Sequence, residues 1–303
     1  MRKIDKNYNL FDGYAFYAPG MGGMFALLGW LLLGMLMGAA VTSIISLISP
    51  AFALTYGILI SYPLQFMPVM IWASSKSRRA ALDTEPLPLN RSNFGNNSFA
   101  ALIVVVVIAT VAMGFIMDII GYGIYKLTQL SEFMTQFYES IMAVMKSMTG
   151  GPVWVSLLSV SIMAPLFEEW LCRGEVLRGL LKKGMHPAWA ILISALFFAV
   201  IHGNPWQAVP AMLLGCLFGY VYYKTGSLWL TMIMHCANNT LAVIISNIDS
   251  FKNVDYWYEV IPTAPYWIYF SASVVILAAS VLIFSKIPNL PTSTSSKPEG
   301  TNP

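Results

Sequence analysis

Two adjacent glutamates, followed four residues later by an arginine, stand inside a long apolar stretch of the sequence. They are Glu168, Glu169 and Arg173. Adjacent helical positions point about 100° apart, so the two carboxylates cannot serve the same purpose. Glu169 and Arg173 have the i,i+4 spacing of a helical salt bridge, which gives Glu169 a structural role. Glu168 is therefore predicted to be available for chemistry.

Two histidines and an asparagine add polar groups to the apolar stretches that follow. His202 comes four residues after Phe198, and His235 stands four residues before Asn239. The second pair again has the i,i+4 spacing, so one helix face presents an imidazole and a carboxamide together. A single intramembrane histidine is often a packing residue bonded to a neighbouring helix. Two histidines with an asparagine in register favour a functional site.

These residue types cover the tasks of a hydrolase. A carboxylate in a dry site can act as a general base, so Glu168, helped by His202, is predicted to take a proton from an attacking water. The resulting tetrahedral intermediate needs donors aimed at its negative charge, and His235 and the amide of Asn239 are predicted to supply them. The competing interpretation is that Glu168 and Glu169 only reach water from the cytosolic end of their helix.

Three short motifs carry a resemblance to a known family. They are Glu168-Glu169-x-x-x-Arg173, Phe198-x-x-x-His202 and His235-x-x-x-Asn239. The sequence from about residue 160 to 245 therefore resembles the CAAX proteases and bacteriocin-processing enzymes, also called Abi proteins. The resemblance implies an intramembrane endopeptidase related to the type II CAAX prenyl proteases. The family's catalytic positions are then occupied by Glu168, His202, His235 and Asn239. The supporting positions are occupied by Glu169, Arg173 and Phe198.

The resemblance leaves two mechanisms open, because members of this family have been described as glutamate-dependent enzymes and as metalloproteases. For a catalytic zinc the sequence offers Glu168, His202 and His235, three ligands with one open position. Asparagine is an unusual zinc ligand, and the sequence contains no HExxH signature. Glutamate-activated water, with no cofactor required, is therefore the favoured prediction, and zinc is its alternative.

The composition places these residues in a membrane protein. Of 303 residues, 57% are hydrophobic and only 10% are charged, too few to cover a water-soluble globule. The net charge of +3 comes with no basic stripe for a nucleic acid. A spanning helix needs about 20 apolar residues, and several uncharged runs reach that length. The sequence predicts an all-α, polytopic transmembrane bundle with its active site inside the membrane core.

Eight helices are predicted when uncharged runs are read as spans and Pro, Gly and charge clusters as turns. Their approximate ranges are 21–48, 51–74, 98–121, 151–181, 187–204, 206–223, 227–247 and 264–285. The amphipathic segment 127–146 is predicted to lie along the membrane surface or to form an external loop helix. Of the 17 Lys and Arg residues, 14 fall on the side of the termini. The positive-inside rule then predicts a multi-pass protein of the cell membrane with both termini in the cytosol.

The helices and their loops divide the chain into five predicted regions. These are a cytosolic N-terminal segment (1–20), N-terminal transmembrane helices with a basic cytosolic loop and the amphipathic segment (21–150), a catalytic core with the three motifs (151–248), an outer loop with the last helix (249–286), and a disordered C-terminal tail (287–303).

Helix lengths predict the relative depth of the polar groups. The fourth and fifth spans form a hairpin that turns near residues 184–187. Glu168 lies 16 residues before this turn and His202 lies 16 residues after it, so both are about 24 Å from it and face each other. His235 lies 10 residues, or about 15 Å, past its own turn at Thr225. The first hairpin must therefore project roughly 9 Å further into the cytosol than the second.

Two other functions remain open for such polar residues. A transporter or channel would use them as a midplane site or proton relay, and a non-catalytic membrane scaffold could act in bacteriocin immunity or envelope regulation. Asp118, near the outer end of the third span, is predicted to be an interfacial carboxylate beside Tyr122, outside the site. The expected partners are membrane lipid and a peptide or membrane-protein substrate, with no nucleic acid.

Overall fold

The computed structural model describes residues 11–149, 151–251 and 254–289, and in these ranges the chain forms helices and no strand. The long helices are α1 (Met21–Ile48), α2 (Pro50–Ala80), α3 (Phe99–Thr128), α4 (Glu132–Thr149), α5 (Val153–Lys182), α6 (Pro187–Ile201), α7 (Pro205–Thr225), α8 (Leu228–Ser246) and α9 (Thr263–Ser285). Single turns of helix occupy Asp12–Tyr14 and Trp257–Val260. The predicted all-α fold is confirmed.

The eight predicted spans correspond to α1–α3 and α5–α9, and the amphipathic segment corresponds to α4. Six helices in the described ranges, α1, α2, α3, α5, α8 and α9, are long and apolar enough to cross a membrane. α6 has 15 residues, or about 22 Å, against a hydrocarbon core of about 30 Å. α7 has 21 residues but is less apolar than the six. The chain is an integral membrane protein with several spans.

The observed end of α6 differs from the predicted one because of local backbone chemistry. The helix was expected to continue to residue 204 but stops at Ile201. Gly203 adopts a left-handed φ of +61°, and Pro205 disfavours the helical conformation for Asn204 before it. His202 therefore lies just after the end of α6, in the turn to α7.

α1 and α2 pack closely because glycines on α1 face the backbone of α2. A β-carbon at Gly34 would lie 2.0 Å from the carbonyl oxygen of Gln65, and one at Gly38 would lie 3.0 Å from that of Ser61. Small residues at a membrane helix interface allow this approach of two backbones. The resulting hairpin carries Tyr62, on α2, to the face of α5 that holds the glutamates.

The segment before α1 is fastened to the bundle by Arg178 of α5. Its guanidinium donates hydrogen bonds to the carbonyl oxygens of Tyr14 (3.3 Å) and Tyr17 (2.5 Å), and to that of Leu87 (2.8 Å) in the loop after α2. Arg178 is only 4% exposed, so these bonds satisfy a buried cation. One side chain thus ties two otherwise irregular segments to the motif-bearing helix.

Two apolar clusters surround the motif-bearing helices. The first contains Phe66 of α2, Trp170 of α5 and Phe198 of α6, and the second contains Leu102 of α3 and Phe218 of α7. Helices α7 and α8 contribute to both clusters. The polar residues of the three motifs lie where the two clusters meet.

The two ends of the chain were predicted as a cytosolic segment and a disordered tail. Residues 1–10 of the first and 290–303 of the second lie outside the described residues. Ile287, assigned by the sequence to the tail, is buried in the second apolar cluster. Asn289 accepts a hydrogen bond from the ammonium of Lys224 at 2.7 Å. The packed part of the chain therefore extends beyond the end of α9.

Asp118 has a structural role, with different partners from those expected. Its carboxylate accepts hydrogen bonds from the backbone N–H of Trp257 (2.8 Å) and Tyr258 (3.0 Å), and from the hydroxyl of Tyr266 (2.9 Å). It therefore caps the short Trp257–Val260 helix and holds the loop after α8 against α3.

The glycine contacts predict unequal effects of two alanine substitutions on α1. We expect Gly34→Ala to lower the stability of the protein by about 1–3 kcal/mol, because the added methyl group collides with backbone that cannot turn aside. Gly29→Ala is the control, since a β-carbon there meets nothing within 4 Å. Thermal unfolding in detergent, followed by tryptophan fluorescence, measures the difference. Equal midpoints for the two variants would contradict the observed packing.

Candidate active site

The three motifs meet at the carboxylate of Glu168. Its Oε2 lies 3.9 Å from Nε2 of His202 and 3.9 Å from Nε2 of His235. These side chains come from α5, α6 and α8. Glu168 and His202 therefore lie at one depth, as the hairpin lengths predicted, and His235 shares that depth. Oε2 is buried and has no hydrogen-bond partner within the described ranges.

Each imidazole is oriented by a hydrogen-bond acceptor that faces its Nδ1 atom. Nδ1 of His202 lies 2.6 Å from the carbonyl oxygen of Phe198, and Nδ1 of His235 lies 3.1 Å from Oε1 of Glu169. A carbonyl oxygen and an ionised carboxylate can only accept hydrogen bonds, so both Nδ1 atoms must carry a proton. In the neutral tautomer of each ring, Nε2 then presents a lone pair.

Three hydrogen-bond acceptors consequently face one another in a buried place. They are the two Nε2 atoms and Oε2 of Glu168. Acceptors left together without a donor are unfavourable, since each loses its interaction with water. The arrangement calls for a proton, a water molecule or a cation between them.

Glu169 has the structural role that its spacing with Arg173 predicted. The two side chains are fully buried and form a salt bridge of 2.8 Å. The same oxygen of Glu169 also faces Nδ1 of His235. The arginine thus neutralises the carboxylate that orients one imidazole, an arrangement that links the first motif to the third.

Aromatic rings and a glycine accommodate the buried guanidinium of Arg173. It lies 4.6 Å from the ring centre of Phe198 and 5.3 Å from that of Phe218, within cation–π distance. It also donates a hydrogen bond of 3.0 Å to the carbonyl oxygen of Gly215 on α7. A β-carbon at Gly215 would lie 3.0 Å from Cα of Ala195, so a glycine lets α6 and α7 approach. Phe198 is thereby a packing partner of the motif arginine.

Asn239 is held by a carbonyl oxygen that α5 leaves without a helical donor. Its Nδ2 donates a hydrogen bond of 2.8 Å to the carbonyl oxygen of Val160. α5 is π-helical over Leu157–Met163, and the N–H of Ala164 bonds to Ser159 instead of Val160. The next residue, Pro165, has no N–H to offer. The π-helical segment thus provides a fixed acceptor that orients the carboxamide.

Tyr62 belongs to the site although the sequence reasoning missed it. Its hydroxyl donates a short hydrogen bond to Oε1 of Glu168. The only signal in the sequence was a phenol next to Pro63, in a span that also contains Tyr56 and Gln65. Periodicity gave no reason to place that face of α2 against α5, so the contact could not be predicted. Tyr62 fixes the orientation of the Glu168 carboxylate.

A cavity of about 170 Å³ opens beside the two imidazoles. Its walls include both imidazoles and the carboxamides of Asn238 and Asn239. Glu168 lies behind the imidazoles and does not line the cavity. Asn238 donates to Oδ1 of Asn239 at 3.1 Å. Asn239 donates one of its two amide hydrogens to Val160, which leaves its second N–H available. Of the four predicted catalytic residues, three border this space and the fourth contacts two of them.

The donor types of Glu168, His202 and His235 would suit zinc, but their spacing suits it less well. At about 2.05 Å from zinc, two donors 3.9 Å apart would subtend an angle of about 145°, far from tetrahedral. Around a hydrogen-bonded water at about 2.8 Å, the angle would be near 90°. Within the ranges the structure describes, no group of three His, Cys, Asp or Glu side chains has the arrangement of a metal site. The geometry favours water as the shared partner.

Comparison with known proteins identifies the region that carries this site. Residues 150–241 match the family described as type II CAAX prenyl endopeptidase Rce1-like. The chain is 28% identical over 85 residues to the Bacillus subtilis protein named "Putative membrane peptidase YdiL", covering 28% of this chain and 34% of that protein. It is 26% identical over 112 residues to UPF0177 protein YxdF of Lactococcus lactis, covering 37% and 58%. No solved structure matches the chain significantly.

The family match covers the motif-bearing part of the molecule. The chain covers less than two thirds of the length of either curated relative. The matched range nevertheless contains all three motifs, from Glu168 to Asn239. The predicted resemblance to the CAAX protease and bacteriocin-processing family is therefore confirmed for residues 150–241, the part of the chain similar to type II CAAX prenyl endopeptidases.

Proposed function

We propose that this protein is an intramembrane endopeptidase that hydrolyses a peptide bond with a water activated by Glu168. The observation that carries the proposal is the convergence of Oε2 of Glu168 with two imidazole Nε2 atoms, each 3.9 Å away. A water placed among them can donate one hydrogen to Oε2 and the other to an Nε2 atom, which fixes its orientation. The family similarity of residues 150–241 supports the same activity.

In the first step the water oxygen bonds to the carbonyl carbon of the substrate, and one water proton moves to Glu168. His202 orients the water through Nε2, because its Nδ1–H is bonded to a backbone carbonyl oxygen. The hydrogen bond from Tyr62 keeps the other carboxylate oxygen occupied, which directs Oε2 toward the water. The product of this step is a tetrahedral intermediate with a negative oxygen.

The negative oxygen needs donors, and two residues of α8 supply them. Asn239 offers its second N–H, since the first is bonded to Val160. His235 donates while its Nε2 holds the water proton relayed from Glu168, and the Glu169 carboxylate at Nδ1 stabilises the resulting imidazolium. That proton then returns to Glu168. When the carbon–nitrogen bond breaks, the proton held by Glu168 passes to the leaving amine. Atoms and charges then balance, and the site returns to its starting state.

Activity should depend on Glu168 more than on any other ionisable group. We expect Glu168→Gln to lower kcat by about 10²–10⁴, because the amide cannot accept the water proton. Cleavage of a membrane-protein and peptide library by the purified, detergent-solubilised protein measures the loss by mass spectrometry. His186→Ala is the control, since His186 caps α6 on its exposed end, away from the cavity.

Equal turnover by the wild type and Glu168→Gln would rule out this mechanism. A phenotype in cells that survives Glu168→Gln would favour the non-catalytic scaffold. Transport activity in proteoliposomes that requires His202 or His235, without cleavage, would favour a transporter.

Asn239 should affect the chemical step more than substrate binding. We expect Asn239→Leu to lower kcat by about 10²–10³ with little change in KM, the effect of removing one donor to the oxyanion. The control is Asn247→Leu, because Asn247 also donates its amide to a backbone carbonyl oxygen four residues earlier on α8. If the loss appeared in KM alone, the carboxamide would bind substrate without stabilising the intermediate.

The proposed mechanism requires no metal. We expect activity to survive exhaustive treatment with a zinc chelator, because the spacing of the three donors suits water better than zinc. Turnover and the metal content per chain, determined by mass spectrometry, are measured on the same sample. Loss of activity that tracks the loss of one zinc per chain, and returns with zinc, would assign the three side chains to a metal instead.

A further inference from the structure

A second, larger chamber adjoins the cavity beside the imidazoles. Its volume is about 440 Å³, against about 170 Å³ for the catalytic cavity. The two spaces share three lining residues, Met117 of α3 and Gln207 and Pro210 of α7. They are therefore neighbouring compartments with these residues at their junction.

The chamber lies at the end of the bundle opposite the basic loops. It is bounded by the second half of α3, by α4, by the first turns of α7 and by the last turns of α8. The loop after α8, with Asp255 at the exposed edge, completes the wall. Among the described residues that line it there is no lysine or arginine. Lys224 stands at the other end of α7, and Arg91 lies in the loop before α3.

The walls of the chamber suit a polypeptide better than a lipid chain. Four polar side chains line it, those of Asp118, Asn204, Gln207 and Asp255. Aromatic rings lie among them, contributed by Tyr138, Trp206, Tyr256 and Trp257. Polar groups between flat apolar surfaces can pair with peptide N–H and C=O groups while the rings cover side chains. An acyl chain would leave the amide of Gln207 without a polar partner.

Buried contacts hold the walls of the chamber in position. Trp206 donates its indole N–H to the hydroxyl of Thr128 at 2.6 Å, and its ring packs against Phe137 and Tyr138 of α4. Asp118 holds the opposite wall through its bonds to the loop after α8. These contacts fix α4 and the loop in position on either side of the space.

Gln207 occupies the junction of the two compartments with an unpaired amide. It lines both spaces, and its side chain makes no hydrogen bond to any residue in the described ranges. It lies five residues from His202, on the first turn of α7. A primary amide offers one acceptor and two donor hydrogens, which match the C=O and N–H of an extended peptide. Its position suits pairing with the backbone next to the bond that is cut.

We propose that the substrate chain reaches the imidazoles through this chamber, from the end opposite the basic loops, and that Gln207 holds its backbone at the junction. The proposal rests on the proposed peptidase function. The positive-inside rule assigns the basic end to the cytosol, so this route does not enter from the cytosolic side. Gln207 is accordingly a substrate-positioning residue.

Cysteine accessibility tests the route without requiring activity. In a background with Cys216→Ser and Cys236→Ser, retaining the buried Cys172, single cysteines replace Ala242 in the chamber and Ala211 in the catalytic cavity. Two exposed positions serve as references for the two sides of the membrane. Ser250→Cys marks the chamber end, and Ser92→Cys marks the basic end. Sealed vesicles of both orientations are treated with a membrane-impermeant maleimide.

We expect the cysteines at 242 and 211 to react from the same side as Ser250→Cys, with the deeper one slower. Reaction only from the side of Ser92→Cys would overturn the route. So would unreactive cysteines at both positions under conditions that label Ser250→Cys fully.

Kinetics test the role of Gln207. We expect Gln207→Leu to raise KM about tenfold while kcat falls less than threefold, with partial recovery in Gln207→Asn. Gln136→Leu, on the exposed face of α4, is the control. An unchanged KM in Gln207→Leu overturns backbone pairing but leaves the peptidase intact. If the wild type cleaves no substrate, both the proposed peptidase function and the role of Gln207 are wrong. The labelling experiment does not depend on cleavage and still shows from which side the chamber is reached.

Discussion

The site depends on three hydrogen-bond acceptors that the fold forces together in a dry place. Each imidazole has its Nδ1–H committed elsewhere, to a backbone carbonyl for His202 and to the Glu169 carboxylate for His235. The neutral rings can then offer only lone pairs to Oε2 of Glu168. In the proposed mechanism a water molecule donates one hydrogen bond to Oε2 and one to an Nε2 atom, and loses a proton to Glu168.

The supporting structure exists to hold these acceptors against their mutual repulsion. The buried salt bridge between Glu169 and Arg173 would be costly alone, because both charges lose their hydration. Phe198, Phe218 and the carbonyl oxygen of Gly215 surround the guanidinium and offset part of that cost. Removing the arginine would leave a buried carboxylate next to an imidazole. The chemistry proposed for Glu168 thus depends also on the packing of α7, which carries none of the four predicted catalytic residues.

The sequence predicted those features of the site that follow from local spacing. The i,i+4 spacing predicted the Glu169–Arg173 salt bridge. The rise per residue along the two helices of a hairpin predicted the common depth of Glu168 and His202. Contacts between distant helices were beyond its reach. Tyr62 reaches Glu168 only because α2 packs on α5, and no periodicity encodes that choice. The early end of α6 was missed because residues 203–205 act together, through a left-handed glycine and a proline.

The protonation of the imidazoles tests the central claim most directly. The chain contains only three histidines, so nitrogen-15 labelling of histidine resolves His202 and His235 from His186. The arrangement predicts that, where the rings are neutral, His202 and His235 both carry the proton on Nδ1 and leave Nε2 bare. Solid-state NMR in lipid bilayers distinguishes the two tautomers by their nitrogen shifts. An Nε2–H tautomer for either residue would contradict the proposed water-binding site.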